Sequence, residues 1–341
     1  MLYFLRETRY YTHRDSWEVA WMELSFAPME GITSCVFRRI HAERFGGADR
    51  YYTPFIAPDG EGRFKTGCLR DALPESNGGI ALIPQLIVNR AEPFLIAARQ
   101  LAELGYTELN LNVGCPSGTV VTKHKGAGML SDLRSLDDCL ADIYSRCPQR
   151  VSVKTRIGID SADELPAILD VYRKYPISEL TVHARTRRGM YADAPDLAAF
   201  GLVLRSVECP VSYNGSIFTP ADLDALRKEI PGEYSAMLAR GAIADPALFR
   251  RIRGGAPLSA SELRDFHDAL LDGFMSCGLD ERISMARLKE LWSYWQCHFP
   301  SGLKELKAIY KSRDLISYRA AVSSLFTSAE FDGERGFAGI G

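Results

Sequence analysis

The stretch Glu108-Leu109-Asn110-Leu111-Asn112-Val113-Gly114-Cys115-Pro116-Ser117 combines an alternating strand pattern with a turn that presents a cysteine. Its apolar residues would share one face of the strand and its two asparagines the other, because successive strand side chains point to opposite faces. Asn112 and Cys115 would then emerge at the carboxyl end of the strand, where alternating strand and helix proteins build their sites. Taken alone, Cys115 could equally be a small buried apolar residue, since free cysteine is among the most buried residue types.

Strand-like and helix-like segments alternate on both sides of this stretch. Eight strands are predicted, at 24–27, 51–56, 80–88, 108–113, 151–156, 179–184, 210–214 and 234–239. Helices are expected between them, and the pairs Ser161 with Glu164 and Thr219 with Pro220 are typical of helix starts. Eight such units predict an α/β fold of the TIM-barrel type, and the 341 residues exceed the about 250 that one barrel needs.

After Gly254-Gly255-Ala256-Pro257 the pattern becomes purely helical, with segments predicted at 259–277, 283–299, 302–312 and 314–326. The sequence therefore predicts four parts. Residues 1–22 form an N-terminal extension outside the fold, with Met22 an alternative start; residues 23–256 form the barrel; residues 257–327 form a small all-helical C-terminal domain; and residues 328–341 form a glycine-rich flexible tail.

The overall composition, with 46% hydrophobic and 25% charged residues, is ordinary for a globular protein, and no run of about 18 apolar residues is available to span a membrane. The eight cysteines contain no CxxC pair and no zinc-type spacing with histidine, so reduced thiols, a cytoplasmic location and no metal are expected. We also expect a monomer.

The net charge of −2 hides an uneven distribution. Residues 282–319 contain eight cations and three anions, whereas residues 257–281 contain one cation and six anions. A basic surface of this kind inside a neutral protein is typical of contact with phosphates. We expect nucleic-acid contacts from Lys289, Lys304, Lys307 and Lys311, whereas the spacing of Trp292, Tyr294 and Trp295 indicates a buried helix face.

Lys154 and Arg156 would lie on one face of the fifth strand, near its carboxyl end. Two cations inside a barrel need an anion, and a flavin supplies one, because a nearby positive charge stabilises its reduced, anionic ring. The alternative is a lysine paired with a barrel carboxylate. Gln85 and His183 occupy comparable strand ends and could bond the edge of such a ring, although a lone histidine is more often structural.

The seventh and eighth strands are followed by Asn214-Gly215-Ser216 and Ala239-Arg240-Gly241. TIM barrels frequently bind phosphate in these two loops, through exposed backbone N–H groups and an arginine. The alternative is two ordinary strand-to-helix turns.

Seven motifs in chain order resemble the signatures of the tRNA-dihydrouridine synthase family, and the resemblance is colinear over about residues 24 to 320, including the C-terminal stretch Met285-Ala286-Arg287-Leu288-Lys289. They are Ala27-Pro28-Met29-Glu30-Gly31, Pro84-Gln85-Leu86, Leu109-Asn110-Leu111-Asn112-Val113-Gly114-Cys115-Pro116, Val153-Lys154-Thr155-Arg156, His183-Ala184-Arg185-Thr186, Tyr213-Asn214-Gly215 and Ala239-Arg240-Gly241.

The resemblance implies FMN at the barrel mouth, NADPH as reductant, and tRNA held with the help of the helical domain. It implies hydride transfer to C6 of a uridine and protonation of C5 by Cys115, with Asn112, Arg156 and Arg185 near the substrate. The FMN contacts that it implies are Ala27, Pro28, Met29, Gln85, Lys154, His183, Asn214, Gly215, Ser216, Ala239 and Arg240.

Three positions depart from the family pattern. Ala184 and Ala239 stand where glycine is usual, and Ser216 stands where an acidic residue is common, so we expect cofactor affinity to be affected more than reaction type. Two other functions remain open: an FMN barrel that reduces a free pyrimidine or an enone, and a catalytically silent tRNA-binding protein. The basic helical domain argues against the first, and Cys115 with Lys154 and Gln85 argues against the second.

Overall fold

A computed structural model describes residues 22–59, 61–64, 66–337 and 339, so the predicted N-terminal extension lies outside the described residues except for Met22. Nine parallel strand segments form one sheet, in the order β3-β2-β1-β9-β8-β7-β6-β5-β4. They are β1 Leu24–Phe26, β2 Arg50–Tyr52, β3 Leu82–Ile83, β4 Gln85–Leu86, β5 Glu108–Val113, β6 Arg150–Arg156, β7 Leu180–His183, β8 Val211–Asn214 and β9 Ser235–Leu238.

Segments β3 and β4 are the two halves of the predicted third strand, interrupted at Pro84. Because proline has no N–H to donate to a ladder, the pairing changes there: β3 pairs with β2, and β4 pairs with β5. The ring therefore closes as an eight-stranded barrel, and the predicted TIM-barrel class is confirmed.

The helices follow the predicted alternation. They are α1 Cys35–Arg44, α2 Thr66–Ala72, α3 Ala91–Glu103, α4 Gly118–Val121, α5 Leu133–Arg146, α6 Leu165–Tyr172, α7 Leu197–Ser206, α8 Pro220–Glu229, α9 Arg240–Ala244, α10 Leu248–Ile252, α11 Ala260–Ser276, α12 Glu281–Trp295, α13 Leu303–Lys311 and α14 Leu315–Ser328.

Helix starts follow the local sequence. The capping boxes at Ser161 and Thr219 are both present: Thr219 caps α8, and Ser161 caps a 3-10 turn, Ala162–Glu164, that leads directly into α6, so both predicted starts are confirmed. Helix α10 begins at Leu248, three residues after Asp245, and the short α9 precedes it. Asp245 still orders this junction, because its carboxylate accepts from the Ala247 N–H at 2.9 Å and pairs with Arg251 at 2.5 Å.

One continuous apolar core joins the barrel to the four C-terminal helices. Phe266 of α11 packs edge-on against Phe37 and Phe45, with ring centroids 5.5 and 5.2 Å apart. Trp295 of α12 donates its indole N–H to the carbonyl oxygen of Ile243 at 2.9 Å. Trp292 and Trp295 are completely buried, which confirms their assignment to the core. The helical region is therefore docked firmly on the barrel.

The C-terminal tail, residues 329–337, packs back onto both parts, although its glycine content predicts a flexible segment. The Asp332 N–H donates to the His298 carbonyl at 2.9 Å, and Arg251 donates to the Glu334 carbonyl at 3.1 Å. A Cβ on Gly333 would lie 1.8 Å from the carbonyl oxygen of Leu258, so the tail passes too close to the chain for any larger residue.

Buried histidines predict how the stability of this fold depends on pH. His41 is wholly buried and neutral: it accepts from the Tyr51 hydroxyl at 2.9 Å and donates to the Pro246 carbonyl at 2.9 Å. Burial lowers the pKa of His41 from 6.5 to about 4. The unfolded chain therefore binds a proton that the folded chain excludes, and stability that is complete above pH 6.5 is lost as pH falls towards 4.

Between pH 7.5 and 4.5 this group alone should lower the free energy of unfolding by about 2–3 kcal/mol. Urea unfolding at both pH values measures the loss, and His41→Gln, which keeps an amide donor and acceptor but does not titrate, should lose correspondingly less. An equal loss in the two proteins would show that other groups control acid stability.

Candidate active site

A cavity of about 280 Å³ lies at the carboxyl ends of the barrel strands. Thirteen of the predicted site residues line it. They are the catalytic candidate Cys115, two of the substrate set, Asn112 and Arg156, and ten of the cofactor set, namely Ala27, Pro28, Met29, Gln85, Lys154, His183, Asn214, Gly215, Ala239 and Arg240. Ser216 and Arg185 lie just behind this wall and contact each other, with the guanidinium donating to the hydroxyl at 2.8 Å.

The Cys115 loop is held by the side chain of Asn112. Its amide oxygen accepts from the N–H groups of Gly114 and Cys115, at 3.0 and 2.9 Å. Its amide nitrogen donates to the Gln85 side-chain oxygen at 2.7 Å, and Gln85 in turn donates to Asn110 at 2.7 Å. This line of amides crosses from β5 to β4 and fixes the position of the cysteine relative to the barrel.

The Cys115 thiol is partly exposed to the cavity. Burial is the largest effect and raises the pKa of the thiol. A backbone hydrogen bond at Ser117 and the positive charge of Arg156 lower it by less. The thiol therefore stays protonated near neutral pH and can act as a proton donor.

Lys154 points into the cavity and has no carboxylate partner among the described residues. Its ammonium donates to the Asn214 amide oxygen at 2.7 Å, and Asn214 is itself fixed by donating to the Met237 carbonyl at 2.8 Å. Burial, together with Arg156, lowers the pKa of Lys154 to about 7. Within the described residues, Lys154 is therefore not paired with a barrel carboxylate, which was the alternative interpretation.

His183 lines the cavity as a neutral imidazole. The Arg185 guanidinium donates to its Nε2 at 3.1 Å, which leaves the hydrogen on Nδ1. Burial and the surrounding cations hold the pKa of His183 well below its usual value.

Arg156 and Arg185, predicted to face substrate, use most of their donors within the protein. Arg156 donates to the carbonyls of Gly114 and Thr186, at 2.9 and 2.8 Å, and so ties the Cys115 loop to the β7–α7 loop. Arg185 donates to the Asp193 carbonyl at 2.6 Å in addition to its other contacts. Both side chains are nearly inaccessible, so they act first as buried cations that hold loops and keep the cavity positive.

Arg240 differs from these two. Its guanidinium makes no hydrogen bond or ion pair within the part of the chain that the structure describes. Its guanidinium carbon lies 4.4 Å from the centroid of the Tyr191 ring. Its five N–H donors are therefore available to a ligand.

Five further lining residues were not assigned from the sequence: Glu30, Phe55, Gly114, Pro116 and Tyr191. Tyr191 is 44% exposed and also faces the His183 ring, with centroids 5.8 Å apart. The sequence signal that could have identified Tyr191 is an aromatic residue five positions after Thr186, in a loop at the carboxyl ends of the barrel strands. Glu30 was inside a recognised motif, and burial raises its pKa.

The predicted nucleic-acid lysines lie away from the cavity. Lys304, Lys307 and Lys311 are exposed along one face of α13, where with Leu303 and Ala308 they line a shallow groove. Lys289 is different, because its ammonium donates to the carbonyls of Ser312 and Tyr310, at 2.6 and 3.3 Å, and so caps the end of α13.

No helix within the described residues has the length and apolar character needed to cross a bilayer. Across residues 22–59, 61–64, 66–337 and 339, histidine, cysteine and carboxylate side chains nowhere gather in threes as a metal site requires.

Comparison with known proteins gives a consistent result. The family model described as dihydrouridine synthase matches residues 25–270. The tRNA-dihydrouridine(16) synthase of Cupriavidus necator is 27% identical over 321 residues, covering 89% of this chain and 97% of that protein. The tRNA-dihydrouridine(16) synthase of Haemophilus ducreyi is 30% identical over 240 residues, covering 67% and 73%.

Solved structures share the barrel at much lower identity. A 2-naphthoyl-CoA reductase has a TM-score of 0.53 at 11% identity, covering 92% of this chain and 68% of that one. Histamine dehydrogenase from Rhizobium sp. 4-9 has a TM-score of 0.51 at 12% identity, covering 74% and 48%. These two likenesses concern the fold alone. The family match, which spans most of the barrel and the first C-terminal helix, shows that the chain belongs to the dihydrouridine synthase family.

Proposed function

We propose that this protein is an FMN-dependent tRNA-dihydrouridine synthase that uses NADPH to reduce a uridine of tRNA in the cytoplasm. The observation that carries the proposal is the barrel-mouth cavity, which a protonated Cys115 lines together with Lys154 and Arg240, two basic side chains without carboxylate partners among the described residues. The names of the relatives support tRNA as the substrate.

The residues present fit an anionic cofactor with a phosphate. The backbone N–H groups of Gly215 and Ser216 donate to no acceptor within the described residues, and Arg240 is equally unpartnered. These donors would hold the phosphate, as glycine-containing loops of TIM barrels commonly do. Ala239, at the start of α9, lies beside them.

The ring of FMN would be held by donors from several strand ends. Lys154 and the Nδ1–H of His183 would meet its electron-rich edge, and Gln85 would supply amide contacts, while Ala27, Pro28 and Met29 would form the apolar wall. When bound, FMN supplies a hydride that originates from NADPH. A positive Lys154 favours the anionic reduced ring.

Overall, C6 of the uracil gains a hydride and C5 gains a proton, while NADPH becomes NADP⁺. Cys115 is the group that would give the proton to C5, and the raised pKa of its thiol keeps that proton available. Asn112 keeps the thiol in place through the two loop N–H groups. The thiol is restored by a proton from solvent at the open mouth of the cavity.

A uridine in folded tRNA is stacked and has to be extruded before it can enter a cavity of this size. The rest of the molecule then needs a positively charged surface, which the row Lys304, Lys307 and Lys311 would supply. This row favours RNA over a free pyrimidine or an enone, neither of which would reach α13.

The proposal is tested with the purified, flavin-loaded protein under anaerobic conditions. NADPH should bleach the flavin absorbance, and unmodified tRNA should restore it with formation of one product, dihydrouridine. Free uridine, orotate and a simple enone are the comparison substrates. Rapid reoxidation by one of these and none by tRNA would overturn the proposal in favour of a small-molecule reductase.

The low pKa of Lys154 makes flavin binding depend on pH. Without a ligand the ammonium loses its proton above about pH 7, whereas an anionic ligand favours the protonated form. Flavin binding should therefore take up about one proton at pH 8.5 and almost none at pH 6, and the dissociation constant should rise up to about tenfold per pH unit above 7. Calorimetry in buffers of different ionisation enthalpy measures the uptake.

Lys154→Arg is the matched variant for this prediction, because arginine stays charged throughout this range. Its flavin affinity should be flat between pH 7 and 9. Equal pH slopes in the variant and the wild type would assign the titration to another group.

A further inference from the structure

Three aromatic rings surround the Arg240 guanidinium, and they come from three separate parts of the chain. Tyr191 belongs to the β7–α7 loop, Phe218 to the β8–α8 loop and Phe337 to the C-terminal tail. The guanidinium carbon lies 4.4 Å from the first ring centroid, 5.5 Å from the second and 5.7 Å from the third. All three distances are within the range of cation–π attraction.

Aromatic faces attract a cation without offering the oxygen acceptors that would occupy its N–H groups. The arrangement therefore restrains Arg240 and leaves its donors unpaired, as its guanidinium has no hydrogen bond or ion pair within the described residues. This contrasts with Arg156 and Arg185, which are fixed by backbone carbonyls and have few donors left.

Phe337 is held in place independently of Arg240. Its ring is 5% exposed and packs 5.4 Å from Phe218 at 65°, and 5.4 Å from Tyr294 of α12 at 26°. Just before it, a Cβ on Gly336 would approach the Thr219 methyl to 2.7 Å, so the tail runs directly over the start of α8. The tail, packed on Tyr294 of α12, thus lies against Arg240, a lining residue of the barrel-mouth cavity.

We propose that the C-terminal tail is part of the cofactor site, with Phe337 as a positioning residue that fixes Arg240 for the phosphate of FMN. The inference rests on the proposed function in that it takes FMN as the ligand. Phe337 itself need not touch the cofactor. Its effect should therefore be confined to ligands that carry the phosphate.

The test compares FMN with riboflavin, which has the same ring system and no phosphate. Full-length protein freed of flavin is titrated with each by fluorescence quenching. Phe337→Ala should raise the dissociation constant of FMN about three- to tenfold, the range set by one cation–π contact, and that of riboflavin less than about twofold. In an Arg240→Gln background the same change should have no further effect on FMN, because the group being positioned is absent.

Phe326→Ala is the matched control, since Phe326 lies in α14 and its ring faces Arg264 at 5.6 Å rather than Arg240. It should leave both affinities unchanged. Gly336→Val is a second variant, which should displace the tail without removing a ring. It should weaken FMN binding and leave riboflavin binding unchanged. If Phe337→Ala does not fold, Gly336→Val alone tests the inference.

Equal weakening of FMN and riboflavin, or no weakening of either, in both tail variants would overturn the inference. Failure of the wild-type protein to bind either flavin would instead overturn the proposed function.

Discussion

Replacing Cys115 with alanine is expected to lower dihydrouridine formation by about 100- to 10,000-fold, the usual contribution of a general acid, while flavin binding and its reduction by NADPH are retained. The reason is that the thiol, kept protonated by burial, is the donor that faces the cavity beside the loop that Asn112 fixes. Mass spectrometry of the tRNA product measures dihydrouridine formation, and stopped-flow absorbance of the flavin measures its reduction by NADPH.

Cys147→Ala is the control for this prediction, since Cys147 is another free, partly buried cysteine but lies at the end of α5. It should behave like the wild type in both measurements. If Cys115→Ala forms dihydrouridine at the wild-type rate, Cys115 is not the proton donor, and a loss of flavin binding would assign it a structural role instead.

Reversing the three exposed lysines of α13, with Lys304, Lys307 and Lys311 all changed to Glu, should weaken tRNA binding by about 30- to 100-fold at low salt. The slope of log Kd against log salt concentration should become shallower by about 2, because three phosphate contacts and their released counterions are lost. Filter binding or fluorescence anisotropy across a salt series measures both quantities.

A charge-matched control is available on the barrel helices, where Arg134, Arg205 and Lys228 are also exposed. Changing these three to Glu alters the net charge equally but leaves the α13 row intact, so tRNA affinity should fall much less. Equal losses in the two triple variants would indicate a general charge effect, and unchanged affinity in the α13 variant would mean that the RNA docks elsewhere.

The barrel was predictable from the sequence because each strand carries its own local signal. The alternation in 108–113, the capping residues Ser161 and Thr219, and the change to a purely helical pattern after residue 257 all depend on near neighbours. The position of Cys115 at a strand end followed from the same alternation. These are the features that local sequence determines.

Contacts between distant segments were not predictable in the same way. Asn112 was assigned to substrate, but its bonds to Gln85 and to the Cys115 loop depend on the register of two strands. The tail illustrates the same limit, because Gly333 and Gly336 predict flexibility by composition, whereas in the fold they permit close passage over Leu258 and Thr219. A sequence does not distinguish these two uses of glycine.

The contact between Phe337 and Arg240 spans almost a hundred positions and joins the C-terminal tail to the barrel mouth. No periodicity links the two residues. Lys289 is a related case: its charge predicts contact with phosphates, and the structure uses its ammonium to cap α13.

The central claim is most directly tested by mass-spectrometric mapping of dihydrouridine in tRNA from cells with and without this gene, followed by addition of the purified protein and NADPH to the unmodified tRNA. We predict that dihydrouridine disappears from a defined position in the deletion strain and returns after the addition. Unchanged dihydrouridine in the deletion strain, together with no product from the purified protein, would contradict the account.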